Sequence, residues 1–119
     1  MYKSVLGTII LSLLACTPAC GQSMVEMKQT ALRDFEKADA ELNATYKEVL
    51  AQLSPKGVAA LQEAQRAWVV LRDKTAEAYG TGEEGGSNES LMSIRCEEAT
   101  TRNRTKELRR LFLSGGYPY

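Results

Sequence analysis

Cys16, Cys20 and Cys96 are the only cysteines in this 119-residue chain, and it has no histidine. A thiol can be acylated, can pair as a disulfide or can bind a metal. Zinc and haem sites draw on sets of cysteine and histidine that this composition does not supply, so no metal and no cofactor are expected. The other side chains whose spacing invites chemistry are polar groups placed a helical turn apart. Asp39 and Asn43 share a face, as do Gln65, Trp68 and Arg72, and Thr101, Arg104 and Thr105 repeat the mixture further on. Catalysis would need a base beside a nucleophile, or two carboxylates in one cleft, and none of these sets provides either. An acid and an arginine on facing helices instead make a partly buried pair that fixes helix register. Trp68 reads as a central core residue. The chain is not expected to be an enzyme.

The elements that must position these groups begin after a processing segment. Met1 to Lys3 is a short, weakly positive start, and Ser4 to Ala15 holds only apolar or small residues. That is the plan of a secretory signal, and the run is shorter than the roughly 20 residues a spanning helix needs. Leu13, Leu14, Ala15 and Cys16 resemble a bacterial lipobox, in which cleavage precedes the cysteine and a diacylglyceryl group is attached to its sulfur. Acyl chains contribute about 0.8 kcal/mol per buried methylene, so a multiply acylated Cys16 would anchor the protein without a spanning helix. Simple secretion after cleavage nearby is the alternative. The expected organisation is a signal peptide over 1–15, a short anchor and linker over 16–23, a helical domain over 24–113 and a flexible tail over 114–119. Lysine plus arginine and aspartate plus glutamate both number 15, and loss of residues 1–16 removes only Lys3, leaving 14 against 15. A nearly neutral chain offers nothing to nucleic acid.

Within 24–113 the apolar positions recur every three or four residues. Met24, Met27, Ala31, Phe35, Ala38, Leu42, Tyr46, Val49 and Leu53 form the stripe of one long amphipathic helix. Ser54 and Pro55 stop it and start the next, because serine caps free amides and proline is tolerated at a first helical position. A second stripe follows with Val58, Leu61, Ala64, Trp68, Leu71 and Thr75, and so short a connection predicts an antiparallel hairpin. The glycine-rich stretch from Tyr79 to Ser90 breaks the pattern and reads as a loop. Ser87 or Asn88 can cap a third helix with Leu91, Ile94, Thr101, Thr105, Leu108 and Phe112 on one face. The fold class is therefore all-α, a small domain of three helices.

The segments Ala38 to Ser54, Leu61 to Asp73, Gly85 to Ser87 and Cys96 to Leu111 resemble, in order and spacing, the LprI-type lysozyme-inhibitor N-terminal domain, formerly a domain of unknown function. The resemblance runs from about Cys20 to Leu113. It is carried by D-x-x-L-N-x-x-Y (Asp39, Leu42, Asn43, Tyr46), by A-Q-R-A-W-x-x-x-R-D (with Gln65, Trp68, Arg72, Asp73) and by T-x-x-R-T-x-E-L (Thr101, Arg104, Thr105, Leu108). It implies a periplasmic or surface-attached helical domain with lysozyme as partner, touching the membrane only through its N-terminal lipid. Relatives of this kind carry four cysteines, of which the first and last correspond to Cys20 and Cys96, while the middle two fall on Thr30 and about Ala76. The resemblance therefore implies a Cys20 to Cys96 disulfide and a second bridge lost as a pair.

An inhibitor must reach a basic enzyme's open cleft or hold its rim. The protruding element is the loop Gly80 to Asn88, whose Glu83, Glu84 and Ser87 are the candidate partner-binding residues, the alternative being a flexible, solvent-exposed connection with no role in binding. The competing reading is a structural or adaptor lipoprotein that binds another envelope component. The residues by themselves carry no signal of oligomeric state.

Overall fold

The computed structural model describes residues 23–82, 86 and 88–115. The expected signal peptide, Cys16, Cys20, Glu83, Glu84, Ser87 and residues 116–119 of the tail lie outside these described residues.

Helix α1 spans Met24–Gln52, and its start follows from Ser23, whose Oγ accepts the Glu26 N–H at 3.2 Å. The chain then leaves the helix through Leu53 and Ser54, both in extended backbone, and enters α2, Pro55–Gly80. Ser54 Oγ accepts the Gly57 N–H at 3.2 Å and Pro55 sits in the first turn, so this two-residue connection both ends one helix and opens the next. Helix α3 spans Asn88–Leu108 and runs on into a single π-helical turn, Arg109–Leu113. Ser114 closes that turn by donating its N–H to the Arg109 carbonyl at 2.9 Å, and Gly115 then takes a left-handed φ of 87°.

The directions of the helices can be read from side-chain pairs. Asp34 meets Arg95 and Glu41 meets Arg109, so α3 runs parallel to α1. Gln65 meets Arg104, and Gly80 lies against Glu89 and Ser93, so α3 runs antiparallel to α2. The resulting three-helix, all-α domain has the expected hairpin of α1 and α2, but its two arms come close at few positions. Helix α3 packs along both.

Two kinds of packing hold it. Towards the α1–α2 connection, Leu42, Val49, Leu61 and Leu108 are buried together, with Tyr46, Leu50, Leu53, Trp68, Phe112 and Leu113 packed against them. Elsewhere the buried positions are small: Ala31, Ala38 and Thr45 on α1, Ala76 and Gly80 on α2, Thr101 and Thr105 on α3. On α1 they alternate with Phe35, Leu42 and Val49 at spacings of three and four, the seam of a coiled coil. Small residues let backbones approach. Thr105 Oγ1 donates back to the Thr101 carbonyl at 3.2 Å, whereas Thr101 Oγ1 is buried without a hydrogen-bond partner among the described residues.

The second expected stripe needs correction. Leu71 is 64 % exposed, and Ala64 and Thr75 also face solvent. The inward line of α2 instead runs through Leu61, Gln65, Trp68, Arg72, Ala76 and Gly80, where polar and small residues disguise it. On α1, Thr45 is more deeply buried than its neighbour Tyr46.

Gly80 has no room for a side chain, because a Cβ there would collide with the Ser93 hydroxyl and stand 3.0 Å from the Glu89 carbonyl oxygen. At Gly82 a Cβ would make only ordinary contact, 3.5 Å from the Tyr79 carbonyl oxygen. Gly80→Ala should therefore cost about 1–3 kcal/mol of stability through overpacking, despite alanine's better helix propensity. Gly82→Ala should leave the thermal midpoint within a degree or two, a contrast that paired melting curves would check.

Candidate functional site

Midway along the bundle the polar residues singled out from the sequence meet in one layer. Helix α2 supplies Gln65, Trp68, Arg72 and Asp73, which its 3.6-residue period sets on one side. Two guanidinium groups lie over the Trp68 ring, with Arg72 Cζ 5.4 Å and Arg104 Cζ 5.8 Å from its centroid. Arg72 also covers the Phe35 ring of α1 at 5.3 Å. Such cation–π contacts are strongest where the cation is withdrawn from water, and both arginine side chains are only 11 % exposed.

Each guanidinium has its own partners. Arg72 Nη1 donates to Asp39 Oδ1 at 3.4 Å across to α1, and its Nε donates to Asp73 Oδ1 at 2.9 Å. Asn43 Nδ2 donates to the other Asp39 oxygen at 3.3 Å, which steadies the carboxylate although Asn43 itself is exposed. Arg104 Nε donates to Gln65 Oε1 at 3.1 Å and Nη1 to Glu107 Oε2 at 2.7 Å. The three motifs thus divide their labour. Asp39, Asn43, Gln65, Trp68, Arg72, Asp73 and Arg104 build the polar layer, Leu42, Tyr46 and Leu108 belong to the apolar core, and Thr101 and Thr105 line the α1–α3 seam.

Glu97 of α3 belongs to the same region, and sequence reasoning missed it. Burial holds its carboxyl above the ordinary glutamate range, opposed by Arg72 and reinforced by Asp73. A second network ties α1 to α3, also missed: Arg95 Nη1 donates to Asp34 Oδ2 and to Glu98 Oε2, each at 2.8 Å, and Arg102 Nε reaches Glu98 at 2.9 Å. The hydrogen bond from Arg95 lowers the Asp34 pKa. The spacing of Glu98 to Arg102 was a readable signal for half of this ladder. Its partner on α1 was not readable.

Cys96 is half-buried, a free thiol among the described residues, in a groove of about 290 Å³ lined with Tyr79, Met92, Arg95, Ala99 and Thr100. No group of acidic, cysteine or histidine side chains among the described residues could hold a metal ion. No described helix is long and apolar enough to cross a membrane. The arrangement in the polar layer is one of mutual satisfaction, with each arginine matched to an acid and an aromatic face.

The same residues carry the comparison with known proteins. The sequence pattern of the family described as lysozyme inhibitor LprI matches residues 16–108. The chain belongs to the LprI family. It is also similar to the uncharacterized protein R02472 of Rhizobium meliloti (strain 1021), at 35 % identity over 105 residues that cover 77 % of this chain and 76 % of the relative. No solved structure matches. In this LprI-family domain the polar motif residues pair with one another and link all three helices at one level.

Two outcomes follow. Arg72→Lys should destabilise by about 1–2 kcal/mol although charge is kept, since an ammonium cannot bond Asp39 and Asp73 while covering two rings; chemical denaturation would measure it. Glu97→Gln should raise the thermal midpoint at pH 7. A raised native pKa means that stability is lost as pH rises from the ordinary glutamate range through the native value. The advantage of the glutamine should therefore shrink towards pH 4, and a melting series from pH 4 to pH 8 would show it.

Proposed function

We propose that this LprI-family protein is exported, is anchored through lipid on Cys16, and binds lysozyme so as to protect peptidoglycan from it. The observation that supports this reading is the family match, which spans Cys16 and the three helices. It involves no catalysis by the protein itself, in keeping with a family described as inhibitors.

Most motif side chains are engaged with one another, so we assign contact with lysozyme to residues outside them. Our candidate is the loop between α2 and α3. Its flanking residues Gly82 and Gly86 are exposed, and the tight seat of Gly80 against α3 fixes the base from which it departs. Glu83 and Glu84 supply negative charge suited to the rim of a basic enzyme, with Ser87 as an added hydrogen-bonding group. A Cys20 to Cys96 disulfide would tie the chain ahead of α1 to α3, and closing so long a loop would add roughly 2–4 kcal/mol.

Clearing of a cell-wall suspension by c-type and g-type lysozymes tests the reading, with the full chain present in oxidised and then reduced form. Inhibition is expected, with at least about tenfold weakening by Glu83→Lys combined with Glu84→Lys, and weakening on reduction. Unchanged inhibition by the double variant would exclude the loop. No inhibition by folded, oxidised protein would overturn the lysozyme assignment and leave the adaptor reading.

A further inference from the structure

The outer face of α2 carries a largely apolar stripe, interrupted by Lys74, that no other described residue buries. Ala60, Ala64, Ala67, Leu71, Lys74 and Ala78 succeed one another at alternating spacings of four and three, and all are exposed. Leu71 is 64 % exposed and Val70 beside it 63 %. At the other end of the same helix an apolar groove of about 300 Å³ opens between Leu53, Gly57, Ala60, Leu61, Ala64 and Phe112.

Gly57, Ala60, Leu61 and Ala64 stand at i, i+3, i+4 and i+7, which is the four-residue hole that receives a side chain from a neighbouring helix in knobs-into-holes packing. The groove is shallow-sided because three of its four helix positions are glycine or alanine. A projecting leucine on the same helix, seven residues beyond the end of the hole, is the matching knob.

We infer that this face is a homodimer interface, in which α2 of a second copy packs antiparallel so that Leu71 of each chain enters the groove of the other. A two-fold axis satisfies both knobs and both holes at once. The same register sets Ala64 beside Ala67 of the second copy, where small side chains let the helices close, and Lys56 beside Glu77 of the second copy. Charge points the same way. Lys56, Glu63 and Glu77 flank the stripe and Lys74 stands within it, two bases and two acids that form a balanced set suited to an antiparallel copy and not to a strongly charged partner. Lys74 and Glu77 already pair at 2.7 Å within one chain, which holds Glu77 on this side of the helix.

Sedimentation equilibrium of the full chain, in a non-ionic detergent matched in density to the solvent, tests the interface. A reversible dimer is expected. Leu71→Asp should weaken it at least about tenfold without loss of helicity, because Leu71 is 64 % exposed among the described residues and lies outside the core. Lys56→Glu and Glu77→Lys should each weaken it, and the two together in one chain should restore it. A wild-type chain that stays monomeric would overturn the inference, as would a dimer indifferent to Leu71→Asp. A double charge variant weaker than either single one would overturn the antiparallel register.

Discussion

Helix α3 is the element on which the bundle depends, because α1 and α2 touch it far more than they touch each other. The two-residue connection at Leu53 and Ser54 turns the chain back, but a turn alone leaves two amphipathic helices with their inward faces apart. α3 closes the space with small residues where backbones come near and with Leu108, Phe112 and Leu113 where the space widens. The widening is met by the change from α to π geometry at Arg109, which adds a residue to the turn and carries Phe112 and Leu113 into contact with the core.

Between the small-residue seam and the apolar core sits the layer around Trp68. Its arginines do not merely neutralise carboxylates. Arg72 reaches from α2 to Asp39 and Phe35 of α1, and Arg104 reaches from α3 to Gln65 and Trp68 of α2. Planar guanidinium groups suit this position because they stack on rings while donating in their own plane. The layer therefore joins all three helices at one level through side chains that each match a specific partner.

Much of this was legible in the residues themselves. Ser23, Ser54 and Pro55 mark helix starts through their own hydrogen bonding and fixed φ, and the stripe of α1 is apolar enough to show its period. α2 misleads because its inward face contains Gln65, Arg72 and Gly80, so that exposed Leu71 looks like the continuation of the core. A guanidinium buried on two rings does the work of a hydrophobic side chain but carries no hydrophobic signature. Thr45 was hidden for a similar reason, since its methyl group packs while its type reads as polar. The pairing of Asp34 with Arg95 depends on how α3 lies along α1, and no local spacing encodes that. As for the site, the motifs that reveal the family pair with one another across the helices, so their spacing speaks to packing and carries no signature of a partner surface.

The order of helices along the chain has a consequence for biosynthesis. As the polypeptide emerges from its N-terminus, α1 and α2 are complete before the element that fills the space between them exists. Leu42, Val49 and Leu61 can meet Leu108 only once α3 follows, although Tyr46, Leu50, Leu53 and Trp68 beside them come from the first two helices and their connection. Completion of the core is thereby postponed until the α3 segment has followed both arms of the hairpin.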